Sequence, residues 1–500
     1  MYLGIDLGTS ELKVLLLDDA QRILASVAEP LVVSRPQPLW TEQDPADWWQ
    51  ACDTALLRLR AEQPAAMAAV RAIGPSGQMH GAVLLDHRDA VLRPAILWND
   101  GRSTAQCIEL EAAVPEIHAI AGNLAMPGFT APKLMWVREH EPHLFARTAR
   151  VLLPKDWLRL RLTGEYASDM SDASGTLWLD VGRRRWSGEL LAACGLHIGQ
   201  MPRLVEGSAV SGLLRAELAQ RWGLRAHVMV AGGAGDNAAS AVGVGVVRPN
   251  QGFVSLGTSG VIFVSSDHFR PEPPRAVHAF CHALPGRWHQ MSVMLSAASA
   301  LRWVRKLLGL ASEDELLERV ALLTQAQRSR APLFLPYLSG ERTPHNDPHA
   351  QGVLFGLTHE HDAAAVGYAV LEGVGFGLAD GWSSLAVAPG EVKALAVVGG
   401  GAVSALWTQT LASTLGIAMR VHAGSEAGGA LGAARLAWLA DGGNEAEVCV
   451  SGAVVREAWP DPAESERLAP RRARFRALYP LLRDEFVRTL AREDLPAANH

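Results

Sequence analysis

Cysteine is scarce and scattered in this chain. Five of its 500 residues are cysteine (Cys52, Cys107, Cys194, Cys281, Cys449), with no CxxC among them, so neither a disulfide framework nor a zinc site is indicated. A reducing cytoplasm fits that usage. No run of eighteen apolar residues occurs, and no membrane span is expected. The chain opens directly on a strand-like run, so a signal peptide is not expected either. Excess positive charge is also missing. The net charge is −6, and the clusters Arg183–Arg185 and Arg471–Arg474 read as solvated helix ends, so nucleic acid is not an expected partner. The phosphate-binding consensus GxxxxGK[ST] does not occur, which excludes a Walker-type P-loop.

What is present is an ordinary globular composition, 49% apolar and 20% charged, over a length that exceeds one hydrophobic core. Two domains are expected, over residues 1–245 and 246–485, with a frayed tail from 486 to 500. Strands are predicted at Tyr2–Asp6, Leu12–Asp18 and Arg22–Ala28. Asp44-Pro45 then caps a helix reaching about Arg60. Val70–Gly74 and Ala82–Asp86 read as strands around a loop, Ser76-Gly77-Gln78-Met79-His80. Helices are predicted over Gly128–His140 (after a turn), Val151–Leu162, Ser187–Ala193 and Ala216–Trp222. Beyond residue 250 the same grammar returns, with strands at Phe253–Ser255, Val261–Ser265, Trp288–Met294 and Leu333–Tyr337. A helix over Ser296–Leu308 is followed by a long glycine-rich one over Ala363–Ala386, where each glycine costs ~1 kcal/mol relative to alanine and so points to close backbone packing. Lys393–Val398, Ser404–Gly416, Met419–His422, Gly428–Leu439 and Arg467–Glu485 then read as strand, helix, strand, helix, helix. The class is α/β.

One tetrapeptide occurs twice in matched surroundings. Leu7-Gly8-Thr9-Ser10 and Leu256-Gly257-Thr258-Ser259 each form a short turn between two β-rich runs, which reads as two related halves. Glycine lets backbone N–H groups converge and the hydroxyls add donors, a combination that suits phosphate oxygens; for either copy alone a plain hairpin turn is the alternative. Asp6, beside the first turn, would repel a phosphate unless a cation intervened, and therefore points to Mg²⁺. Gly399-Gly400-Gly401 follows a strand and precedes a helix, so a flat ligand or its ribose can approach the backbone there; a tight strand–helix connection is the bland reading.

Asp236 follows the apolar run His227–Ala231 and opens a helix. Gly233-x-Gly235-x-x-Ala238 formally satisfies the dinucleotide fingerprint. Against NAD, an acid sits inside the turn, and no Asp or Glu appears between Asp236 and Asp267 to hold a ribose. A carboxylate in this place can instead accept a proton from an incoming hydroxyl, or simply cap the helix. Met79-His80 lie in a glycine-flanked loop, where a histidine is more often solvated than ligating. His278, His282 and His289 lack ligand-like spacing, and the tryptophans read mostly as core.

Together, YLGIDLGTSELKVLLLD, GQMHG, GFTAPKLMWVREH, LLPKDWLRLRLTGE, SDMSDASGTLWLD, GGAGDNAASAVG, SLGTSG, LPYLSGERTPH and VVGGGA resemble the FGGY carbohydrate kinases. The resemblance runs from Met1 to about Tyr479. It implies two actin-like (ribonuclease H-like) domains, each a mixed sheet flanked by helices, with ATP and sugar in the cleft between them. GQMHG and LPYLSGERTPH point to the branch acting on D-xylulose. The resemblance implies Asp236 as catalytic base, Asn237, Met79 and His80 as sugar contacts, and Asp6, with Asp236, as the Mg²⁺-associated acid, partly through water. It implies Gly8, Thr9, Ser10, Gly257, Thr258 and Ser259 as phosphate turns and Gly399, Gly400 and Gly401 as the adenosine loop. A homodimer is expected by analogy. L-ribulose, L-xylulose or glycerol as the acceptor, or an actin-like ATPase without an acceptor, are the alternatives. The chain departs from the family pattern at two places. Glu11, where many relatives have glycine, is an added anion expected either to weaken nucleotide binding or to face solvent, with Lys13 near to offset it, and Pro75-Ser76 is expected to stiffen the substrate loop.

Overall fold

The computed structural model describes residues 1–424 and 428–491. Strands Tyr2–Leu7, Glu11–Leu17 and Ile23–Pro30 form an antiparallel meander, with Leu7 opposite Leu12 across the first Gly-Thr-Ser turn. The period-two alternation of the first strand divides its side chains between two cores. Leu3, Ile5 and Leu7 pack with Trp48, Leu56 and Leu59 of the Pro45–Glu62 helix, while Tyr2 faces the opposite side with Leu15 and Leu17. Gly4 and Asp6 share that opposite side by the same alternation. Ala72–Gly77 and then Met229–Ala231 add parallel strands on the other flank, and Val210–Leu213 closes the edge antiparallel.

The second half repeats this order. Gly252–Leu256, Gly260–Ser266 and Trp288–Met294 form the meander, with His278–Cys281 beyond it. Ala394–Val398 and Ala418–His422 add the parallel strands, and Val454–Ala458 is the antiparallel edge. The duplication legible in the two tetrapeptides is thus a duplication of sheet topology.

Two helices in corresponding positions join the halves. Asp236–Gly243 follows the first sheet's parallel strands and Gly428–Ala440 follows the second's. The second helix crosses over: Ala430, Leu431, Ala434 and Ala437 share a core with Tyr2 and Ala72 of the first sheet. Glycine makes this approach possible. A Cβ on Gly4 would lie 1.9 Å from Ala430 O, one on Gly74 1.9 Å from Ala433 O, and one on Gly432 1.7 Å from Ala239 O. A division near residue 245 therefore separates the two sheets but not the helices that cover them.

The glycine-rich helix, Ala363–Trp382, is the one helix among the described residues long and apolar enough to cross a membrane, and 94% of its apolar window is buried inside the protein. Close packing is the reason for its glycines: a Cβ on Gly373 would fall 2.3 Å from Phe334 O. The last helix is longer than its periodicity indicates and spans Pro462–Ala491, so the segment assigned to a tail is helical to that point; 492–500 lie outside the described residues.

The basic clusters are not solvated helix ends. Arg471 sits mid-helix and pairs with buried Glu372 at 2.6 Å, Arg472 pairs with Asp380 at 2.9 Å, and together they dock the last helix. Arg183 and Arg184, in a turn, pair with Asp180 and Glu206. All five cysteines are buried and unpaired.

Candidate active site

Asp6, next to last in the first strand, lies directly opposite Ser76 on the neighbouring parallel strand. Ser76 Oγ donates to Asp6 Oδ1 at 2.5 Å. Ser76 thus lies in the Ala72–Gly77 strand, not in a loop, and supports Asp6, while Pro75 beside it packs under Gly233. Burial raises the Asp6 carboxyl above its ordinary range, and the Ser76 hydrogen bond and Lys13 act against that shift. Lys13 Nζ also holds Glu11 at 3.2 Å, so the extra anion at residue 11 is compensated as the sequence indicates.

Asp236 is the first residue of its helix, after Gly235. Its carboxyl is pushed up to about 6, chiefly by burial and then by the negative charge of Asp6. The two carboxylates are therefore near enough for their charges to interact. Asn237 donates twice to one oxygen, from N at 2.6 Å and from Nδ2 at 2.9 Å to Asp236 Oδ1. That leaves Oδ2 as the oxygen able to take a proton. The helix Gly428–Ala440 begins at the same place: a Cβ on Gly429 would meet Asp6 Oδ2 at 2.5 Å.

The approach to Asp236 is held by a buried charged cluster that the sequence did not single out. Lys155 lies within 2.6, 2.7 and 3.0 Å of Asp156, Asp169 and Asp172, and Arg159 pairs with Asp156. From this cluster Arg159 Nη1 donates to Gly232 O at 3.0 Å. Gly235 N donates to Ser171 Oγ at 3.1 Å, and Ser171 Oγ to Asp169 Oδ2 at 2.5 Å. Both ends of the Gly232–Gly235 segment are thereby fixed. Asp169 also caps the short helix Met170–Ser174, and Gly175 at its end accepts a 2.7 Å hydrogen bond from His80 Nδ1.

His80 is consequently not a solvated loop residue. A carbonyl only accepts, so Nδ1 carries the proton and Nε2 presents a lone pair. Burial holds the imidazole neutral, down to about 3, although the Gly175 hydrogen bond opposes the shift. Its backbone adopts φ +69°, a sparsely populated conformation typical of functional turns. His80 O receives hydrogen bonds from Lys133 Nζ (2.9 Å) and Thr130 Oγ1 (3.1 Å), and its ring meets Phe129 edge-on at 4.7 Å. Met79 is buried against Gly235, where a Cβ would meet its Sδ at 2.8 Å. Met79 and Gly235 thus sit side by side.

The first turn is tied to this group. Gln78 Nε2 reaches Gly8 O, Gln43 Nε2 donates to Thr9 O at 2.8 Å, and Trp98 Nε1 to Thr9 Oγ1 at 3.0 Å. Trp98, read with the other tryptophans as core, is a partner of this turn, and Ser10 is exposed. The second turn forms a separate group with the glycine loop. Thr258 O accepts from Ala297 N and Ser299 Oγ, and Thr258 is exposed. A Cβ on Gly399, at φ +86°, would meet Leu256 C at 2.8 Å and Gly257 N at 3.0 Å. Gly401 packs on Leu256 in the same way, while Gly400 has open space around it. Among the described residues no hydrogen bond or ion pair joins the two groups.

Among the described residues no set of three or more His, Cys, Asp or Glu forms a metal cage. The interacting pair Asp6 and Asp236 instead suits Mg²⁺, which commonly takes one or two protein carboxylates and completes its shell with water and phosphate oxygens.

Two duplicated sheets with helices crossing between them, a glycine turn on each, and a raised carboxylate at the head of one of those helices define an actin-like phosphotransferase architecture. The comparisons with known proteins agree. Residues 1–243 match the N-terminal domain model of the FGGY family of carbohydrate kinases and residues 252–440 its C-terminal domain. A xylulose kinase of Escherichia coli K12 is 53% identical over 482 residues, 96% of this chain and 98% of its own. One of Klebsiella pneumoniae is 55% identical over 441 residues, 88% of this chain and 90% of its own. A crystal structure of a xyloylose kinase from Brucella ovis superposes with TM-score 0.92 at 52% identity, covering 97% of this chain and 99% of that one. The chain belongs to the FGGY family of carbohydrate kinases.

Proposed function

We propose that this chain transfers the γ-phosphoryl group of ATP to the 5-hydroxyl of D-xylulose, giving D-xylulose 5-phosphate and ADP. The observation that carries this reading is Asp236, a carboxyl raised to about 6 with one oxygen saturated by Asn237 and the other open. A base poised near neutral pH is what abstraction of a hydroxyl proton calls for. D-xylulose as the acceptor is supported by the xylulose kinase relatives; L-ribulose, L-xylulose and glycerol are the competitors to be tested against it.

In this reading residues 1–245 hold the sugar and residues 246–485 the nucleotide. Met79, His80 and Asn237 orient the acceptor, with His80 Nε2 accepting from a sugar hydroxyl. Asp236 Oδ2 takes the 5-hydroxyl proton as its oxygen attacks phosphorus. The amides of Gly8–Ser10 and Gly257–Ser259 stabilise the charge on the transferred group, and Gly399–Gly401 receives adenosine. Asp6 and Asp236 are the residues that would hold Mg²⁺, Asp6 partly through water, and the ion would neutralise charge on the phosphate oxygens. Closure about residues 245–250 would exclude water that otherwise hydrolyses ATP. A homodimer is carried over from related kinases, and light scattering checks it against the 53.6 kDa chain.

The strut behind the base is testable. Ser171→Ala removes the acceptor of Gly235 N. We expect kcat for D-xylulose to fall about tenfold, the acidic limb of the pH–rate profile to shift, KM for ATP to hold, and Ser171→Thr to recover most of the loss. Steady-state kinetics across pH 5–8 would refute the strut if kcat and the limb stay in place.

A further inference from the structure

Arg342, from the second half of the chain, reaches the residues around His80. Its backbone is clamped: Glu341 Oε1 accepts from Leu295 N at 3.0 Å and from Arg342 N at 2.8 Å. Thr343 exchanges hydrogen bonds with Val293, N to O and Oγ1 from N, both at 3.0 Å, and donates to Ala276 O at 2.8 Å. The side chain is therefore launched from a fixed point on the Trp288–Met294 strand. It ends beside His278, with Nη1 3.4 Å from His278 Nε2, and its Nη2 lies 3.8 Å from where a Cβ on Gly128 would stand.

Those neighbours form one aromatic wall. His278 packs on Phe129 at 5.4 Å and Phe129 on His80 at 4.7 Å. The positive charge of Arg342 reaches both imidazoles, where after burial it helps to hold them neutral. Yet among the described residues Arg342 has no carboxylate within salt-bridge distance. The adjacent Glu341 is pushed up to about 8 by burial, so its carboxyl is largely neutral near pH 7 and is no counter-ion. A guanidinium has five donors. Here the single side-chain contact is long and poorly suited to occupy them, and a half-buried guanidinium with unused donors wants oxygen acceptors.

Asp236 marks the end of the sugar that is phosphorylated. Met79 lies against Gly235 next to that base, His80 follows, and Phe129, His278 and Arg342 continue away from it. We propose that Arg342 is a specificity-determining residue whose guanidinium binds the hydroxyketone end of the acceptor, O1 and the C2 carbonyl oxygen, remote from the reacting hydroxyl. It rests on the ketose-kinase reading above. A carbonyl oxygen and its neighbouring hydroxyl offer two acceptors side by side, which a planar fork engages together; a polyol with a hydroxyl at C2 presents them on a tetrahedral carbon and in a different direction. Because the arm belongs to the second half, ketose binding also favours the closed cleft.

The test compares wild type, Arg342→Met and Arg342→Lys on D-xylulose and on xylitol, with KM for ATP and thermal melting measured in parallel. The expected result is a rise of about tenfold or more in KM for D-xylulose with Arg342→Met, a ketose-over-polyol preference reduced by a similar factor, an unchanged KM for ATP, and partial recovery in Arg342→Lys. A KM for D-xylulose within about twofold of wild type would overturn it, and so would an equal loss on both acceptors with a lowered melting temperature. Wild type inactive on every ketose would instead overturn the reading on which the proposal rests.

Discussion

Asp236→Asn is expected to abolish turnover and to stabilise the fold at the same time. Loss of a general base costs about 10²- to 10⁴-fold in rate, and the asparagine carbonyl can still accept both hydrogen bonds from Asn237. In the wild type, kcat/KM should fall with pH below about 6, where Asp236 takes up a proton. The stability effect has the opposite sense. The folded-state carboxyl is raised from 3.8 to about 6, so its ionisation opposes folding at pH values above the folded value. Two units correspond to about 3 kcal/mol at most, and residual solvent contact reduces this to about 1–2 kcal/mol. The variant should therefore melt higher than wild type at pH 7–8, and the gain should vanish below about pH 4, where the carboxyl is protonated both folded and unfolded. Paired melts at pH 4 and 7.5 check the sign; equal melting at both would mean that burial does not strain this group.

Gly432→Ala should produce the largest structural effect of any single methyl group. Its Cβ would stand 1.7 Å from Ala239 O, between the two helices that join the halves. Neither neighbour is a flexible side chain, so the helices must separate, at a cost of about 3 kcal/mol or more. Separation would also move the two helix ends that meet at Asp6 and Asp236, so activity should fall with stability. Gly400→Ala is the control, with nothing within 4 Å of its Cβ. It should fold as wild type, and chemical denaturation of the two variants separates these expectations. Gly432→Ala unfolding at the same denaturant concentration as wild type would disprove the backbone contact.

What the sequence discloses is local. The strands on either side of the Gly-Thr-Ser turns announce themselves by alternation and by glycine punctuation, and Asp236 stands out because an acid does not belong in a dinucleotide turn. What it conceals is mostly contact between distant segments. Ser76 on Asp6 spans 70 residues, Trp98 on Thr9 spans 89, and Arg342 near His278 spans 64; nothing in the spacing of these residues marks them. The helix Gly428–Ala440 reads correctly as a helix, but its partner is the first sheet, reached by a crossover that only tertiary structure displays. Arg471 illustrates the same limit, since a basic run looks solvated until a buried acid from the Ala363–Trp382 helix appears beside it. Lys155 and Asp169 sit in a motif of the family resemblance, yet their role as a strut emerges only from the hydrogen bonds to the Gly232–Gly235 segment.

The measurement that bears most directly on the account is ADP release from Mg-ATP, with and without D-xylulose, L-ribulose, L-xylulose and glycerol, for wild type beside Asp236→Asn. Turnover is expected to depend on D-xylulose and to disappear in the variant. Turnover that needs no sugar and survives in Asp236→Asn would contradict it and point to an actin-like ATPase.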